Sequence, residues 1–183
     1  MSETGLKKAL YTWRVRAGLL GVILAAIFTN PNITSLIAGF AVCLAGLFLR
    51  AWAAGHLRKD EELTVSGPYR RTRNPLYLGN LVIGLGVVVA SRSLWVFGIL
   101  TIYFLLFYPL IIQMEVEKMR NLFPQEYTEY SQKIPLFFPF RWSSSPFKKR
   151  KFSWELYLKN KEWRALLGTI VFWLIMLAKL LLF

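Results

Sequence analysis

The sequence predicts an all-α, polytopic membrane protein of about five spanning helices. Three observations carry this. Hydrophobic residues fill 55% of the 183 positions and charged residues only 18%, against about 25% charged in soluble domains. Apolar segments recur at the length of a bilayer crossing. The basic residues behind a net charge of +13 sit between those segments. A disordered chain is excluded by the aromatic content, and a disulfide scaffold by the single cysteine, Cys43, set in an apolar run. So basic a soluble protein would point to nucleic acid; charge confined to the connections points to a bilayer, with membrane lipids and no nucleic acid as partners.

A spanning helix needs about 20 mostly apolar residues to cross about 30 Å of hydrocarbon. Leu94 to Met114 is free of charge, and Ala165 to Phe183 is broken only by Lys179, which can snorkel to the interface. Ile33 to Gly55 carries Arg50 alone. Pro75 to Ser91 is short and glycine-rich, and Leu10 to Thr29 is interrupted near its start by Arg14 and Arg16. This first segment resembles a signal peptide, yet it runs into Phe28-Thr29-Asn30-Pro31 rather than a small-residue cleavage site, so a retained helix is expected.

Charge bias sets the orientation. Four basic residues precede or open the first span, five lie between His56 and Asn74, and eleven between Gln113 and Arg164. The opposite connections offer Arg92, with Lys179 near the far end. The amino terminus is therefore expected in the cytoplasm and the carboxyl terminus on the other side. Residues 1–140 form the core, four spans plus a cytoplasmic helix continuing from the fourth span over Glu115 to Tyr130. Residues 141–183 add a basic linker, an interfacial segment from Phe152 to Trp163 that suits the headgroup plane, and the last span. The Lys148-Lys149-Arg150-Lys151 run reads as a positive-inside anchor.

The chain has no Walker loop, no cluster of metal ligands and one histidine, which leaves a triad hydrolase no base except His56. Gly84-Leu85-Gly86 lies inside a span, where small residues serve close helix packing rather than a dinucleotide. Two stretches remain. Between Leu49 and Asn80 the chain gathers His56, Lys59, Tyr69, Arg73, Asn74 and Tyr77 at the membrane surface, with Asn74-Pro75 as a helix start. Beyond the fourth span come Glu115 and Glu117, then Phe123-Pro124-Gln125-Glu126-Tyr127. Glu115 follows 21 uncharged residues, so its carboxylate needs a cationic partner. That partner is a loop arginine such as Arg73 or the cation of a ligand, with Trp52, Tyr69 and Tyr77 able to supply aromatic faces.

At these residues the sequence resembles the isoprenylcysteine carboxyl methyltransferases and the related phospholipid N-methyltransferases. The pattern is Gly67-Pro68-Tyr69, Arg73-Asn74-Pro75-Leu76-Tyr77-Leu78-Gly79, and Glu115 eight residues before Phe123. The resemblance runs from about Arg50 to Pro135. It implies S-adenosylmethionine in a cytoplasm-facing pocket between the span ends, and a lipophilic acceptor entering from the bilayer. Tyr69, Asn74, Pro75, Leu76, Tyr77 and Glu115 match cofactor positions; Lys59, Leu63 and Thr64 correspond through a loop of variable length, and His56 completes the candidate set. Arg73 and Glu117 are the catalytic candidates. Two departures stand out. Asn74 occupies a position where the eukaryotic enzymes have His, and Ile111 the position of their substrate-side arginine. Both argue against the prenylcysteine carboxylate as acceptor, not against methyl transfer.

The cofactor is a sulfonium bearing an ammonium and a carboxylate. Glu115 suits the ammonium, Lys59 or Arg73 the carboxylate, and Tyr69 or Tyr77 the adenine or methyl side. Transfer to an anionic acceptor destroys charge, which a dry pocket favours, and orientation for in-line attack supplies the rest. An amine acceptor must first lose a proton, for which Glu117 is the nearest base. The expected activity is thus methyl transfer from S-adenosylmethionine to the carboxylate, thiol or amine of a lipid or prenylated small molecule. The alternatives are an NADPH-dependent reductase of the sterol type, kept open by the arginines at 70–73, and a non-catalytic lipid-binding scaffold.

Overall fold

The computed structural model describes residues 3–139 and 150–182, with side chains from residue 12 onward, and is helical without strands among them. Most of the basic linker lies outside the described residues, though Arg150 and Lys151 lie within them. The helices are α1 (Glu3–Phe28), α2 (Ile33–Ala54), α3 (Pro75–Ser91), α4 (Leu94–Leu122), α5 (Pro124–Lys133), α6 (Trp154–Lys159) and α7 (Trp163–Leu182), with a 3₁₀ turn at Gly67–Arg70. Three of them, α2, α4 and α7, are long and apolar enough to cross a membrane. The 17-residue α3 is apolar but shorter, and α1 opens with Glu3, Lys7, Lys8, Arg14 and Arg16. Large apolar side chains point outward along the bundle: Phe48 is 70% exposed and Leu105 69%. An apolar exterior of this kind suits hydrocarbon, not water.

Local chemistry sets most boundaries. Asn32 and Ser35 form a reciprocal capping box at the start of α2, with the Ser35 amide donating to Asn32 Oδ1 at 2.7 Å. Ser93 caps α4 through the Val96 amide. Pro75 begins α3 as the sequence indicates. Helix α1 begins seven residues earlier than the apolar pattern, at Glu3 rather than Leu10, because a helix can continue through its charged flank. The helix expected to run unbroken from Glu115 to Tyr130 instead stops at Leu122. Pro124 disfavours helical geometry at Phe123, which has φ −136° and ψ 62°, and α5 starts afresh after it.

Helices α2 and α3 make the most extensive helix–helix contact among the described residues. Gly39 faces Gly86, and Gly46 faces Gly79, in antiparallel register. An added Cβ at Gly39 would lie 2.4 Å from the Gly86 carbonyl oxygen, and one at Gly46 2.8 Å from that of Gly79. Between these points the Cys43 thiol donates to the Ile83 carbonyl at 3.2 Å. Gly86 therefore serves helix packing, as small residues do in membrane bundles. Helix α1 packs on α4, while α7 packs on α2 and α1. At one end of the bundle Ala25, Leu36, Ala90, Val96, Phe172 and Met176 form a shared apolar core. Lys179, expected to snorkel, instead donates to the Ala26 and Ile27 carbonyls and so caps the end of α1.

At the other end, Tyr127, Tyr130 and Ile134 seat α5 against Leu63 and Val65 of the α2–α3 connection. The segment from Phe152 to Trp163 also touches the bundle, although α6 within it buries no residue. Phe152 lies over Gly55 and edge-on to His56, and Asn160 donates to the Ala54 and Leu57 carbonyls at 3.0 and 2.9 Å. Trp154 alone of its aromatic residues is mostly exposed, at 70%.

Because the Gly86 carbonyl, the Ala90 amide and the Ala90 Cβ line the space at Gly39, Gly39→Ala cannot be absorbed by a rotamer change. It should lower stability by about 1–3 kcal/mol, the usual cost of overpacking. Gly98→Ala, where nothing lies within 4 Å, should be neutral or gain up to about 1 kcal/mol from helix propensity. Thermal unfolding of both variants in detergent checks the contrast.

Candidate functional site

The connection between α2 and α3 folds as a compact turn. Gly67 takes a left-handed conformation (φ +58°), and an added Cβ there would strike the His56 ring at 2.6 Å. Pro68 then opens the 3₁₀ turn and buries Tyr69. The Tyr130 hydroxyl donates to the Tyr69 carbonyl at 2.7 Å, so α5 clamps the turn from the outside. Burial pushes the hydroxyls of Tyr69 and Tyr130 well above the ordinary phenol range, and both remain protonated donors. The start of α3 is pinned in the same way. The Arg73 amide donates to the Pro135 carbonyl at 3.0 Å, and Asn74 Nδ2 to that of Leu136 at 2.9 Å.

Between this turn and the ends of α1–α4 lies a cavity of about 650 Å³, within the size range of small-molecule sites. Lys59, Leu63 and Thr64 line it from the connection, Tyr69 from the 3₁₀ turn, and Asn74, Pro75, Leu76 and Tyr77 from the start of α3. Glu115 completes the wall from α4, and the Tyr77 hydroxyl donates to its Oε1 at 2.7 Å. Glu115 is therefore not held by Arg73, the loop partner considered from the sequence. Arg73 also lines the cavity, donates to the Tyr127 hydroxyl at 3.1 Å and stacks on that ring at 5.8 Å.

Two predicted residues lie elsewhere. His56 is buried outside the cavity wall, its Nδ1 2.9 Å from the Trp52 carbonyl oxygen and its Nε2 3.2 Å from that of Arg150. Its ring packs beneath the Gly67 turn. Glu117 is exposed and does not line the cavity. Two positions along a helix turn the side chain by about 200°, which carries it away from the wall that Glu115 occupies.

Several lining residues lie outside the predicted set. Arg14 and Gly18 enter from α1, Arg50 from α2, Asn80 from α3, and Tyr103 and Tyr108 from α4. Asn160 and Glu162 come from the far carboxyl-terminal segment. Arg50 had a legible signal, since it is the lone charge in its span; Glu162 had none. Much of the charge at this end is already paired. Glu162 takes Arg50, Glu62 takes Arg58 and Arg150, and Asp60 takes Lys118. Deeper in the bundle a second, mostly apolar cavity of about 330 Å³ lies among α1, α3 and α4. Gly18, Asn80, Tyr103 and Tyr108 line both spaces. Among the described residues no group of three His, Cys, Asp or Glu is placed to hold a metal ion.

Comparison with known proteins adds two relatives. The chain is 40% identical over 92 residues to the cobalt-zinc-cadmium resistance protein CzcN of Cupriavidus metallidurans, a match covering 49% of this chain and 42% of that protein. It is 31% identical over 140 residues to the nickel-cobalt-cadmium resistance protein NccN of Alcaligenes xylosoxydans xylosoxydans, covering 69% of this chain and 62% of that protein. The chain thus spans less than two thirds of the length of either relative. No solved structure matches it. The phospholipid methyltransferase family model matches residues 13–126, a stretch that includes Arg14, Arg50, the whole α2–α3 connection and Glu115. By that match the chain belongs to the phospholipid methyltransferase family, a family of membrane methyltransferases.

Proposed function

We propose that this chain is an S-adenosylmethionine-dependent methyltransferase acting on a lipophilic acceptor. In this reading five helices span the bilayer, the amino terminus and the cavity face the cytoplasm, and the carboxyl terminus lies opposite. The observation that carries it is the donor set of the larger cavity: a Glu115 carboxylate oriented by Tyr77, in one wall with Lys59 and Arg73. An amino acid carrying both an ammonium and a carboxylate fits such a set. Family membership and the convergence of ten predicted residues on one cavity support the same reading.

When bound, S-adenosylmethionine supplies a methyl group on a positively charged sulfur. Glu115 holds the cofactor ammonium, and Lys59 and Arg73 its carboxylate. Tyr69 presents a neutral ring and a protonated hydroxyl. Tyr77 is fixed by its bond to Glu115 and stands against the Tyr108 ring at 5.4 Å. The apolar cavity among α1, α3 and α4 admits the acceptor's hydrocarbon part from the bilayer, and its polar end meets the larger cavity beside Asn80 and Tyr108. Helix packing around this junction excludes water, which strengthens every charge interaction inside. A carboxylate or thiolate acceptor needs no base from the protein. Glu117 is not assigned that work, because it lies outside the cavity.

Calorimetry in detergent tests the binding. The protein should bind S-adenosylmethionine and S-adenosylhomocysteine saturably. Glu115→Gln keeps size and hydrogen bonding but loses the charge. It should weaken both by roughly 30-fold or more, since an unpaired partner in a desolvated pair costs about 2–5 kcal/mol. Glu117→Gln should change neither by more than about twofold. Saturable NADPH binding without a response to the methyl donor would establish a reductase instead, and binding of neither a scaffold.

Topology is checked separately in a Cys43→Ser background. Glu129 on α5 is exposed, so Glu129→Cys should resist an impermeant thiol reagent in intact cells and react after lysis. Labelling from outside would place the cavity on the wrong side of the membrane for a cytoplasmic cofactor.

A further inference from the structure

Arg50 is the single charge in α2, and each nitrogen of its guanidinium is engaged. Nε donates to Glu162 Oε2 at 3.0 Å and Nη2 to Oε1 at 2.6 Å, a bidentate fork, while Nη1 donates to Asn80 Oδ1 at 2.5 Å. The Arg50 and Glu162 side chains keep only 15% and 10% exposure, so salt screens the pair weakly. Glu162 stands between α6 and α7, beyond the residues that the family model matches. Its position is fixed by Asn160, which donates to the Ala54 carbonyl at the end of α2 and to the Leu57 carbonyl just beyond it.

The chain of contacts ends at Asn80, which lines both the polar and the apolar cavity. An amide that accepts from Arg50 through Oδ1 must turn its N–H pair the other way. Tyr108 lines the same junction. Without Glu162, a partly desolvated guanidinium is free to seek other acceptors, and the Asn80 amide can flip.

The geometry points to Glu162 as a positioning residue for the methyl acceptor, acting through Arg50 to hold the Asn80 amide with its N–H donors at the junction of the two cavities. Asn80 then orients the acceptor's polar end, which must offer a lone pair to it, and the segment carrying Glu162 is part of the site. This rests on the function proposed above. It differs from an ion pair that merely joins α2 to the α6–α7 turn, because the effect passes through a neutral residue and reaches the acceptor rather than the cofactor.

The test uses the full chain in membranes, following tritiated methyl from S-adenosylmethionine into chloroform-soluble material, with S-adenosylhomocysteine affinity measured on purified protein. Glu162→Gln and Asn80→Ala should each lower incorporation about tenfold or more, the scale of a misplaced reacting group. S-adenosylhomocysteine affinity should stay within about twofold of wild type in both. The Glu162→Gln/Asn80→Ala double variant should lose no more than the worse single variant, as expected for two members of one network. Asn80→Ala leaves the ion pair intact, so it tests the proposal even where Glu162→Gln fails to fold. Incorporation within about twofold of wild type in Asn80→Ala overturns the proposal. So does a parallel loss of S-adenosylhomocysteine affinity, which would assign the network to the cofactor, or a double variant that multiplies the two losses. Wild-type protein that neither binds S-adenosylhomocysteine nor transfers label overturns the methyltransferase reading itself, a failure visible before any variant is made.

Discussion

Glycines at positions 39, 46, 79 and 86 let α2 and α3 approach until backbone meets backbone, and the cavity hangs from that contact. The Cα of Gly79 lies so close to α2 that an added Cβ would touch the Arg50 side chain at 2.5 Å. This closeness brings Arg50 within reach of the Leu76 carbonyl and the Asn80 amide, in the first and second turns of α3. It also fixes the distance between the end of α2 and the start of α3, which the connection must bridge. The left-handed Gly67 and the 3₁₀ turn fold the connection back over the cavity, and His56 fills the space beneath. A bulkier residue at the helix contact would thus move Arg50, Tyr77 and the turn together.

The site combines two environments that a bilayer protein must keep apart. Its outer part is rich in charge, but most carboxylates there already have cationic partners, of which the Arg50–Glu162 pair is largely buried and the others stay partly in solvent. Glu115 differs: its carboxylate accepts from the neutral Tyr77 hydroxyl, while Lys59, Arg14 and Lys118 act on it through their charge. A charged carboxylate held by a neutral donor retains most of its attraction for a cation, which suits an anchor better than a structural pair. The inner part is apolar and continuous with the bundle interior. Asn80, Tyr103 and Tyr108 mark where one gives way to the other.

The carboxyl-terminal segment is more closely built into this arrangement than its composition indicates. Lys179 closes the end of α1, Met176 and Phe172 enter the shared core, and Glu162 reaches the cavity. These contacts tie both ends of the last helix to the first two. They also explain why a segment outside the family match contributes to the same space as the residues within it.

Sequence alone determined the helical class, the extent of α3, and the apolar α2, α4 and α7, because each follows from local hydrophobicity, proline placement and capping chemistry. It also determined part of the cavity wall. Tyr69, Asn74, Tyr77 and Glu115 stand at the ends of apolar segments, where polar side chains in an otherwise apolar chain are conspicuous, whereas Pro75 and Leu76 came only through the family motif. Orientation and long-range partnership were decided only by the tertiary structure. Whether His56 faces a ligand or a backbone carbonyl depends on where Phe152 and Arg150 return, and Glu117 is excluded by the rotation of α4 about its axis. Glu162 sits among lysines and resembles any solvated charge until it meets Arg50, 112 residues away. A sequence reveals which groups need partners; only the packing of helices selects which partners they find.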